Sequence, residues 1–209
     1  MLRSLLKTSL LIFMTIGITR TSYGLISAQA MLGTDSSKLK DLGGTSDATF
    51  SGTSLGVAAF LDPIPLVPVG FGLGISMPSL SASIDGNDYD LTGLIVDLEV
   101  MAWTPISLFG ITPFAKLGYI PFGAYTMKQK WAAGTETLDV TIPIKSSGTH
   151  FAIGANYSLL PLISLLFQIS LYNETLEYEE FEVAGTKIKV DDSVSKSTTN
   201  ILVGVEVGL

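Results

Sequence analysis

One stretch of alternating residues, LTGLIVDLEVMAW at positions 91–103, constrains the fold more than any other feature of this chain. From position 94 to 102 the even-numbered residues are aliphatic, whereas Asp97 and Glu99 occupy odd positions. Successive side chains of a β-strand point to opposite faces of the sheet, so the two acids share one face and the aliphatic residues share the other. The stretch therefore predicts a strand with one apolar and one polar face.

The same division recurs along the chain, and the composition of the two faces indicates which solvent each face meets. Bulky apolar residues alternate with small or polar ones in the segments 69–77, 150–157, 163–172 and 200–209. A soluble barrel directs its bulky apolar residues inward, whereas a barrel in a membrane reverses the arrangement. After the N-terminus, no apolar run reaches the about 18 residues of a membrane-spanning helix. We therefore expect an all-β, transmembrane fold.

The first 24 residues have the layout of a secretory signal peptide. Arg3 and Lys7 precede an apolar core at 10–18, and small residues follow it. Cleavage after Gly24 is favoured over cleavage after Ala30, because Ala30 lies far from the apolar core and a cut there would delete part of a predicted strand. A membrane anchor helix is a lesser alternative, because the core is short. The expected organisation is a signal peptide at 1–24 and one β-barrel at 25–209.

Three short turns divide the chain into hairpins. Pro63, Pro105 and Pro161 each precede a Leu-rich run, and proline suits such turns because its φ is fixed and it cannot donate to a sheet. With longer loops at the other end, these turns predict an eight-stranded antiparallel up-and-down barrel whose termini lie on the short-turn side. The strands are placed near 25–33, 48–61, 67–83, 91–103, 108–127, 148–158, 163–176 and 197–209. The loops between them are placed near 34–47, 84–90, 128–147 and 177–196.

Aromatic residues beside the turns are expected to mark the two edges of the membrane. Trp103, Phe109 and Tyr157 would lie at the short-turn edge, and Tyr119 and Phe151 at the other edge. Trp103 shares the parity of the two acids, so it faces lipid only if its strand bulges at the end. Ten residues separate Phe109 from Tyr119, about 25 Å along a tilted barrel, which is the height of an outer-membrane apolar band.

The polar face would line the lumen, where a network of Asp97, Glu99, Lys116 and Glu206 is expected. A turn at residues 106 and 107 would place Lys116 opposite Asp97 and diagonal to Glu99, within reach of a cross-strand ion pair. The interior of an eight-stranded barrel is just wide enough for side chains to fill it, and buried charges persist when they are paired. A narrow proton or ion path is the alternative. A catalytic pair of carboxylates is less favoured, because no cleft is indicated.

These features resemble the small eight-stranded outer-membrane barrels of the OmpA/OmpX type. The resemblance covers residues 25–209 and lies in the signal peptide, the three short turns, the four longer loops and the alternating final strand, NILVGVEVGL. It departs at Leu209, where such proteins usually have an aromatic residue. The resemblance implies the outer membrane of a Gram-negative bacterium, and recognition of the final strand by the barrel-assembly machinery.

His150, the single histidine, raises the question of catalysis. Some outer-membrane barrels modify lipid A with a histidine and a serine or an acid, and Ser146, Ser147 and Glu136 are candidate neighbours with unspecific spacing. A hydrogen-bonded polar residue in the barrel mouth is the favoured interpretation. The sequence therefore predicts no catalytic residue, no cofactor and no metal site, and it has no cysteine to supply a thiolate ligand.

The expected function is a structural or adhesion-like surface role carried by external loops. A porin-like narrow pore or carrier for small solutes is the alternative, and a lipid-modifying enzyme is a weaker one. Outer-membrane lipid and lipopolysaccharide are the expected partners of a monomer. Removal of residues 1–24 leaves 9 lysines, no arginine and 19 acids, a formal charge of −10, so nucleic acid is not an expected partner.

Overall fold

The computed structural model describes residues 26–40, 47–62, 67–84, 86–105, 107–133, 136–178, 181–183, 186–188 and 193–208. Its strands are β1 (Ile26–Leu39), β2 (Ala48–Leu61), β3 (Val69–Ile84), β4 (Asn87–Trp103), β5 (Ile111–Ala133), β6 (Glu136–Leu160), β7 (Ile163–Tyr178), β8 (Phe181–Val183), β9 (Thr186–Ile188) and β10 (Ser193–Gly208). Among these residues, no helix is long and apolar enough to cross a membrane. The predicted signal peptide lies outside the described residues.

Eight strands close into an antiparallel barrel in the order β1-β10-β7-β6-β5-β4-β3-β2. Short connections join β2 to β3, β4 to β5 and β6 to β7 at one end, here called the short-turn end. Ser27 pairs with Gly208, so the start of β1 and the end of β10 also lie at this end. The predicted all-β, eight-stranded up-and-down barrel is confirmed, with its termini on the short-turn side.

The strands reach farther toward the opposite, long-loop end than the sequence predicts. β1 continues to Leu39 and β10 begins at Ser193, through regions predicted as loops. β5 and β6 together replace most of the loop predicted at 128–147, and β8 and β9 form a small hairpin within the loop predicted at 177–196. Strand pairing persists because the alternation of inward and outward residues continues beyond the membrane-facing part, as in the last residues of β1 and the first residues of β10.

A belt of exposed apolar side chains surrounds the barrel and includes residues of all eight barrel strands. Soluble monomers rarely expose so large a continuous apolar surface, whereas a barrel in lipid requires one. This outer belt comprises Ile26, Leu32, Leu55, Val57, Leu61, Phe71, Leu73, Met77, Leu94, Leu98, Val100, Ile111, Leu117, Tyr119, Phe122, Phe151, Ile153, Tyr157, Leu165, Phe167, Leu171, Ile201, Val203 and Val205.

Above the outer belt, toward the long-loop end, the polarity of the wall reverses. The outer face becomes rich in hydroxyl groups, while the inner face buries a second apolar set, here called the long-loop cluster. The exposed hydroxyl residues include Thr34, Ser36, Thr49, Ser51, Thr53, Ser79, Ser81, Ser83, Thr175, Ser193, Ser195, Ser197 and Thr199. The long-loop cluster includes Leu39, Phe50, Leu80, Leu91, Ile95, Ile120, Met127, Ile142, Ile144, Leu176 and Val194. This part of the barrel therefore has the polarity of a water-soluble barrel.

The β5–β6 hairpin projects beyond its neighbours at the long-loop end. The last residue of β5 that pairs with β4 is Gln129, and the first residue of β6 that pairs with β7 is Ile144. Residues 130–133 pair with residues 136–139 of the same hairpin, so this paired segment extends about 13 Å beyond Gln129 at the usual rise per residue. β8 lies beside β6.

The β4–β5 connection closes at a different point from the predicted turn at residues 106 and 107. Leu108 and Ile111 exchange two backbone hydrogen bonds of 3.0 and 2.9 Å around Phe109 and Gly110, whose φ angles are +53° and +79°. Positive φ at both central residues is the mark of a two-residue hairpin turn in which Asn-Gly is the usual pair. Phe109 therefore lies in the turn, and β5 begins at Ile111 rather than near residue 108.

A bulge in β5 changes its parity halfway along. The pairing with β6 shifts between Ile120 and Gly123, and Pro121 lies inside this irregularity. Proline cannot donate to the ladder and is tolerated at bulges, which reverse the inside and outside of the following residues. Tyr119 therefore faces outward, whereas Tyr125 is buried in the lumen.

Candidate functional site

The lumen is filled near the short-turn end by apolar side chains, here called the short-turn cluster: Met31, Ala58, Phe60, Met101, Trp103, Phe114, Leu166 and Leu202. Trp103 is only 8% exposed and belongs to this cluster, so its predicted position at the membrane edge is wrong. β4 keeps strict alternation to its last residue, without the terminal bulge that would have turned Trp103 outward.

The other four predicted edge aromatics lie on the outside of the barrel. Tyr119, Phe151 and Tyr157 project from the outer belt, and Phe109 is 95% exposed in its turn. Their role as markers of the membrane edges stays a prediction.

Polar side chains next to the short-turn cluster form a chain of contacts across the lumen. Lys116 Nζ lies 3.2 Å from Glu99 Oε2 and donates a 2.8 Å hydrogen bond to Gln29 Oε1. The amides of Gln29 and Asn156 donate to Glu206 Oε2 at 2.7 and 2.9 Å. All five residues are buried. Each charged side chain among them therefore has the ion-pair or hydrogen-bond partner that a charge shielded from water requires.

The register around Lys116 differs from the predicted one. Lys116 pairs with Met101 rather than with Asp97, because the hairpin closes at Phe109 and Gly110. Glu99 pairs with Gly118, which leaves it diagonal to Lys116 and close enough for the ion pair. Asp97 instead approaches the histidine.

His150 lies between the two carboxylates and is 3% exposed. Its Nδ1 atom lies 3.1 Å from Asp97 Oδ2, and its Nε2 atom lies 3.4 Å from Glu99 Oε1. Neither ring nitrogen has a hydrogen-bond partner, so the carboxylate oxygens approach the ring away from the N–H directions. Tyr172 covers the imidazole, with the two ring centroids 4.8 Å apart.

Two glycines make room for this group. A Cβ atom on Gly74 would collide with the Asp97 carboxylate, and one on Gly118 would collide with the imidazole of His150. Gly118 pairs with Glu99 on one side and with His150 on the other, so it separates the two residues in the ladder without separating their side chains. The cluster therefore depends on the missing side chain of Gly118.

A second polar group lies closer to the long-loop end. Lys196 Nζ contacts Glu174 Oε1 and Tyr125 Oη, each at 2.6 Å, and the tyrosine hydroxyl donates to Glu174 Oε2 at 2.8 Å. Beside it, Asn200 donates to Asp35 and to Ser54 Oγ, and Ser54 donates to Asp35 at 2.9 Å. The lumen thus holds two separate charged groups.

The seam between the first and last barrel strands is bridged inside the lumen by side chains. Gln29 bonds Glu206, Ser37 bonds Thr198 at 2.7 Å, and Asn200 bonds Asp35. Each bond joins β1 to β10, in addition to the backbone ladder between them.

Sequence reasoning missed Asp35, Tyr125, Glu174, Lys196 and Gln29. Continued parity is the signal that finds most of them: Glu174 follows Gln168 and Tyr172 on one face of β7, and Lys196 follows the parity of Asn200 on β10.

His150 makes no hydrogen bond to Ser146 or Ser147, the two serines considered for an enzyme. Ser146 is buried on the lumen face, four residues from His150, whereas Ser147 points outward. The side chain of Glu136 lies outside the described ones. His150 contacts Asp97 and Glu99 instead.

Two small cavities adjoin the polar groups. One, of about 20 Å³, is lined by residues that include Asp97, Glu99, Gln168 and Tyr172. The other, of about 10 Å³, lies near Asp35 and Lys196. A single water molecule needs about 10–15 Å³ by this measure, so each cavity holds little more than one.

Comparison with known proteins identifies the fold. No family profile and no curated protein matches the sequence. Among solved structures, the chain is similar to the outer membrane protein OprG of Pseudomonas aeruginosa (TM-score 0.56, 14% identity, covering 90% of this chain and 98% of OprG). It is also similar to Neisserial surface protein A (0.53, 12%, 88% and 97%) and to the outer membrane protease OmpT of Escherichia coli (0.50, 11%, 88% and 96%). The chain therefore has the fold of bacterial outer-membrane β-barrels.

Proposed function

We propose that this chain is an exported outer-membrane barrel with a structural and surface-interaction role, carried by its long-loop end and not by its lumen. The observation that carries the proposal is the filled lumen. From the short-turn end to the long-loop end, the lumen holds the short-turn cluster, then the polar groups, then the long-loop cluster. β4 shows this order: Trp103 and Met101 lie nearest the short turns, Glu99 and Asp97 lie next, and Ile95 lies nearest the long loops. Such an interior supports the barrel wall and leaves interaction to the outside.

The projecting β5–β6 hairpin is the element best placed for contact with other molecules. It rises above the barrel rim, and its strands pair beyond the reach of β4 and β7. Backbone groups at the edge of a strand are natural sites for recognition of extended segments. The acidic composition of the chain favours partners other than nucleic acid.

The outer membrane is the proposed location. A signal peptide at 1–24 provides export, the outer belt fits hydrocarbon, and closure of the barrel satisfies the backbone groups that lipid cannot. We propose lipid and lipopolysaccharide as its surroundings, a monomer as its form, and the barrel-assembly machinery as its partner during insertion. A non-enzymatic role is proposed because His150 is only 3% exposed and lies between the carboxylates of Asp97 and Glu99 inside the lumen.

A shortened hairpin tests the surface role. Gln129 and Val140 are paired, so replacing residues 130–139 with Asn-Gly closes the hairpin by a two-residue turn at that pair. The control is Phe109→Asn, which places the same dipeptide at the opposite end of β5. Cells expressing each form are compared for attachment to one another and to a panel of immobilised glycoproteins and polysaccharides.

The shortened barrel is expected to reach the outer membrane and shift on boiling like the wild type, but to lose attachment, whereas the control keeps it. Equal attachment by both variants would contradict the role of the hairpin. Planar-bilayer conductance distinguishes the pore alternative: the wild-type barrel is expected to show no single-channel steps, and steady steps would favour a pore.

A further inference from the structure

We propose that Asp97, Glu99 and His150 form a binding site for a divalent transition-metal ion enclosed in the barrel. The site is distinct from the surface role proposed above, and it does not depend on that role. Three strands supply the site: β4 carries the two carboxylates, β6 carries the imidazole, and β5 passes between them with Gly118.

The ligand atoms converge without bonding one another. One donor atom from each of the three residues lies within 4.8 Å of the other two. Asp97 Oδ1 and both nitrogens of His150 are buried without a hydrogen-bond partner. A histidine held only by ion pairing would normally direct its N–H bonds at the carboxylates, because buried donors are rarely left unbonded. A shared cation explains why these groups meet and yet do not hydrogen bond.

A further buried oxygen without a partner belongs to a residue beside the two carboxylates. Gln168 is 1% exposed, its amide nitrogen donates to Ser170, and its Oε1 atom has no partner. Gln168 lines the cavity of about 20 Å³ together with Asp97 and Glu99. The amide oxygen, or a water molecule in the cavity, can complete the coordination shell.

The charge balance of the lumen favours a bound cation. Among the described side chains, the barrel strands bury five acids, Asp35, Asp97, Glu99, Glu174 and Glu206, against the two lysines 116 and 196. A protonated His150 would still leave negative charge in excess. Buried charge without compensation is strongly destabilising. A divalent ion beside Asp97 and Glu99 would neutralise the negative charge that the buried lysines do not.

The donor set selects the class of metal. Calcium and magnesium take oxygen ligands, whereas zinc and its neighbours accept an imidazole together with carboxylates. Lys116 lies against Glu99 Oε2, and the histidine lies against Oε1, so the lysine neutralises one oxygen and leaves the other for the metal.

The closed wall implies that the ion is loaded while the barrel folds. All three ligand residues are at most 5% exposed, and apolar clusters fill the lumen on both sides. Exchange in the folded barrel is therefore expected to be slow, and a chelator added after folding is expected to remove little metal.

The experiment refolds the mature chain from urea into detergent micelles with either Zn²⁺ or EDTA, using a tag without histidine. Folded barrel, identified by its gel shift on boiling, is separated by gel filtration and its zinc is measured by mass spectrometry. We expect about one zinc ion per barrel refolded with Zn²⁺, retained through later EDTA treatment, and a fall of about 10-fold or more in His150→Gln and Asp97→Asn. Asp35→Asn, which removes a buried lumen acid outside the site, is expected to retain the metal.

A wild-type measurement makes the test independent of variant folding. His150 is the only histidine of the chain, so its imidazole gives a single set of ¹⁵N signals that shift when one ring nitrogen binds zinc. Refolding with Co²⁺ is expected to give the visible absorption of a nitrogen-bound ion. Zinc-free folded wild type, unchanged imidazole signals, or equal loss of zinc in Asp35→Asn would each overturn the proposal.

Discussion

Lys116 and Glu99 form an ion pair in the lumen although they are not partners in the β4–β5 ladder. The Lys116 Nζ atom lies 3.2 Å from Glu99 Oε2, while the backbone of Lys116 pairs with Met101 and that of Glu99 pairs with Gly118. The contact is diagonal because Lys116 lies two residues before Gly118, the ladder partner of Glu99. Both side chains are almost fully buried, so each depends on the other for compensation.

Lys116→Met is expected to destabilise the barrel by about 3–5 kcal/mol, because it leaves a buried carboxylate without its cation. Lys38→Met, which removes an exposed lysine on β1, is the control and is expected to change stability by less than about 0.5 kcal/mol. Urea unfolding in lipid vesicles, followed by the gel shift on boiling, measures both. Similar midpoints for the two variants would show that the buried pair contributes nothing.

Gly118→Ala is expected to destabilise the barrel by about 1–3 kcal/mol, since the added methyl group overlaps the imidazole of His150. Gly56→Ala is the matched control, because the nearest atom to its added Cβ is Met31 Cε at 3.5 Å, an ordinary contact. Both glycines lie in barrel strands, so the loss of backbone freedom is alike. If the two variants unfold at the same urea concentration, the close approach at Gly118 is not present.

Trp103 is expected to fluoresce as an indole shielded from both water and lipid. In Trp131→Phe, which leaves Trp103 as the single tryptophan, emission is expected at short wavelength and to resist quenching by iodide and by brominated lipid. The comparison is a variant in which both natural tryptophans are replaced by phenylalanine and Tyr119 is replaced by tryptophan. Its single indole lies on the outer belt, where brominated lipid is expected to quench it. Strong quenching of Trp103 by brominated lipid would contradict its position in the lumen and favour the predicted position at the membrane edge.

Phe109→Asn is expected to be more stable than Phe109→Ala by about 0.5–1 kcal/mol, because asparagine tolerates the positive φ of this turn better than alanine does. Both changes remove the exposed ring, so their difference reports the turn conformation alone. Urea unfolding in one lipid composition gives the difference. Identical stabilities would favour a turn elsewhere, such as the one predicted at residues 106 and 107.

The mature N-terminus is expected at Leu25. Cleavage after Ala30 would remove Gln29, which accepts from Lys116 and donates to Glu206, and would shorten β1 by five residues, Ile26–Ala30. Intact-mass measurement of barrel extracted from the outer membrane distinguishes the two sites. A mass that begins at Met31 would mean that the lumen network forms without Gln29.

The topology and the two faces of the wall follow from the sequence because strand alternation is a local property. Asp97 and Glu99 are placed in the lumen by parity alone, and the three proline-containing connections suffice to count the barrel strands. The register of one hairpin did not follow, because an aromatic residue, Phe109, occupies a turn position that usually holds asparagine.

The contacts among the lumen residues could not be predicted because they depend on long-range effects. Before the bulge at Pro121, even-numbered residues of β5 such as Phe114 face inward, whereas after it odd-numbered residues such as Tyr125 do. Only the closed barrel brings Tyr125 to Lys196. The approach of His150 to Asp97 depends on registers of two hairpins at once. Such distances are set by the ladder and not by residue spacing along one strand.

The polar bridges along the seam tie three buried side-chain bonds to closure of the barrel. Gln29, Ser37 and Asp35 belong to the first strand, and their partners Glu206, Thr198 and Asn200 belong to the last, so these bonds form only when the two strands meet. A sheet that stays open at this seam lacks all three bonds, and an unbonded polar group that reaches hydrocarbon costs several kcal/mol. Partly closed intermediates are thus disfavoured relative to the sealed barrel.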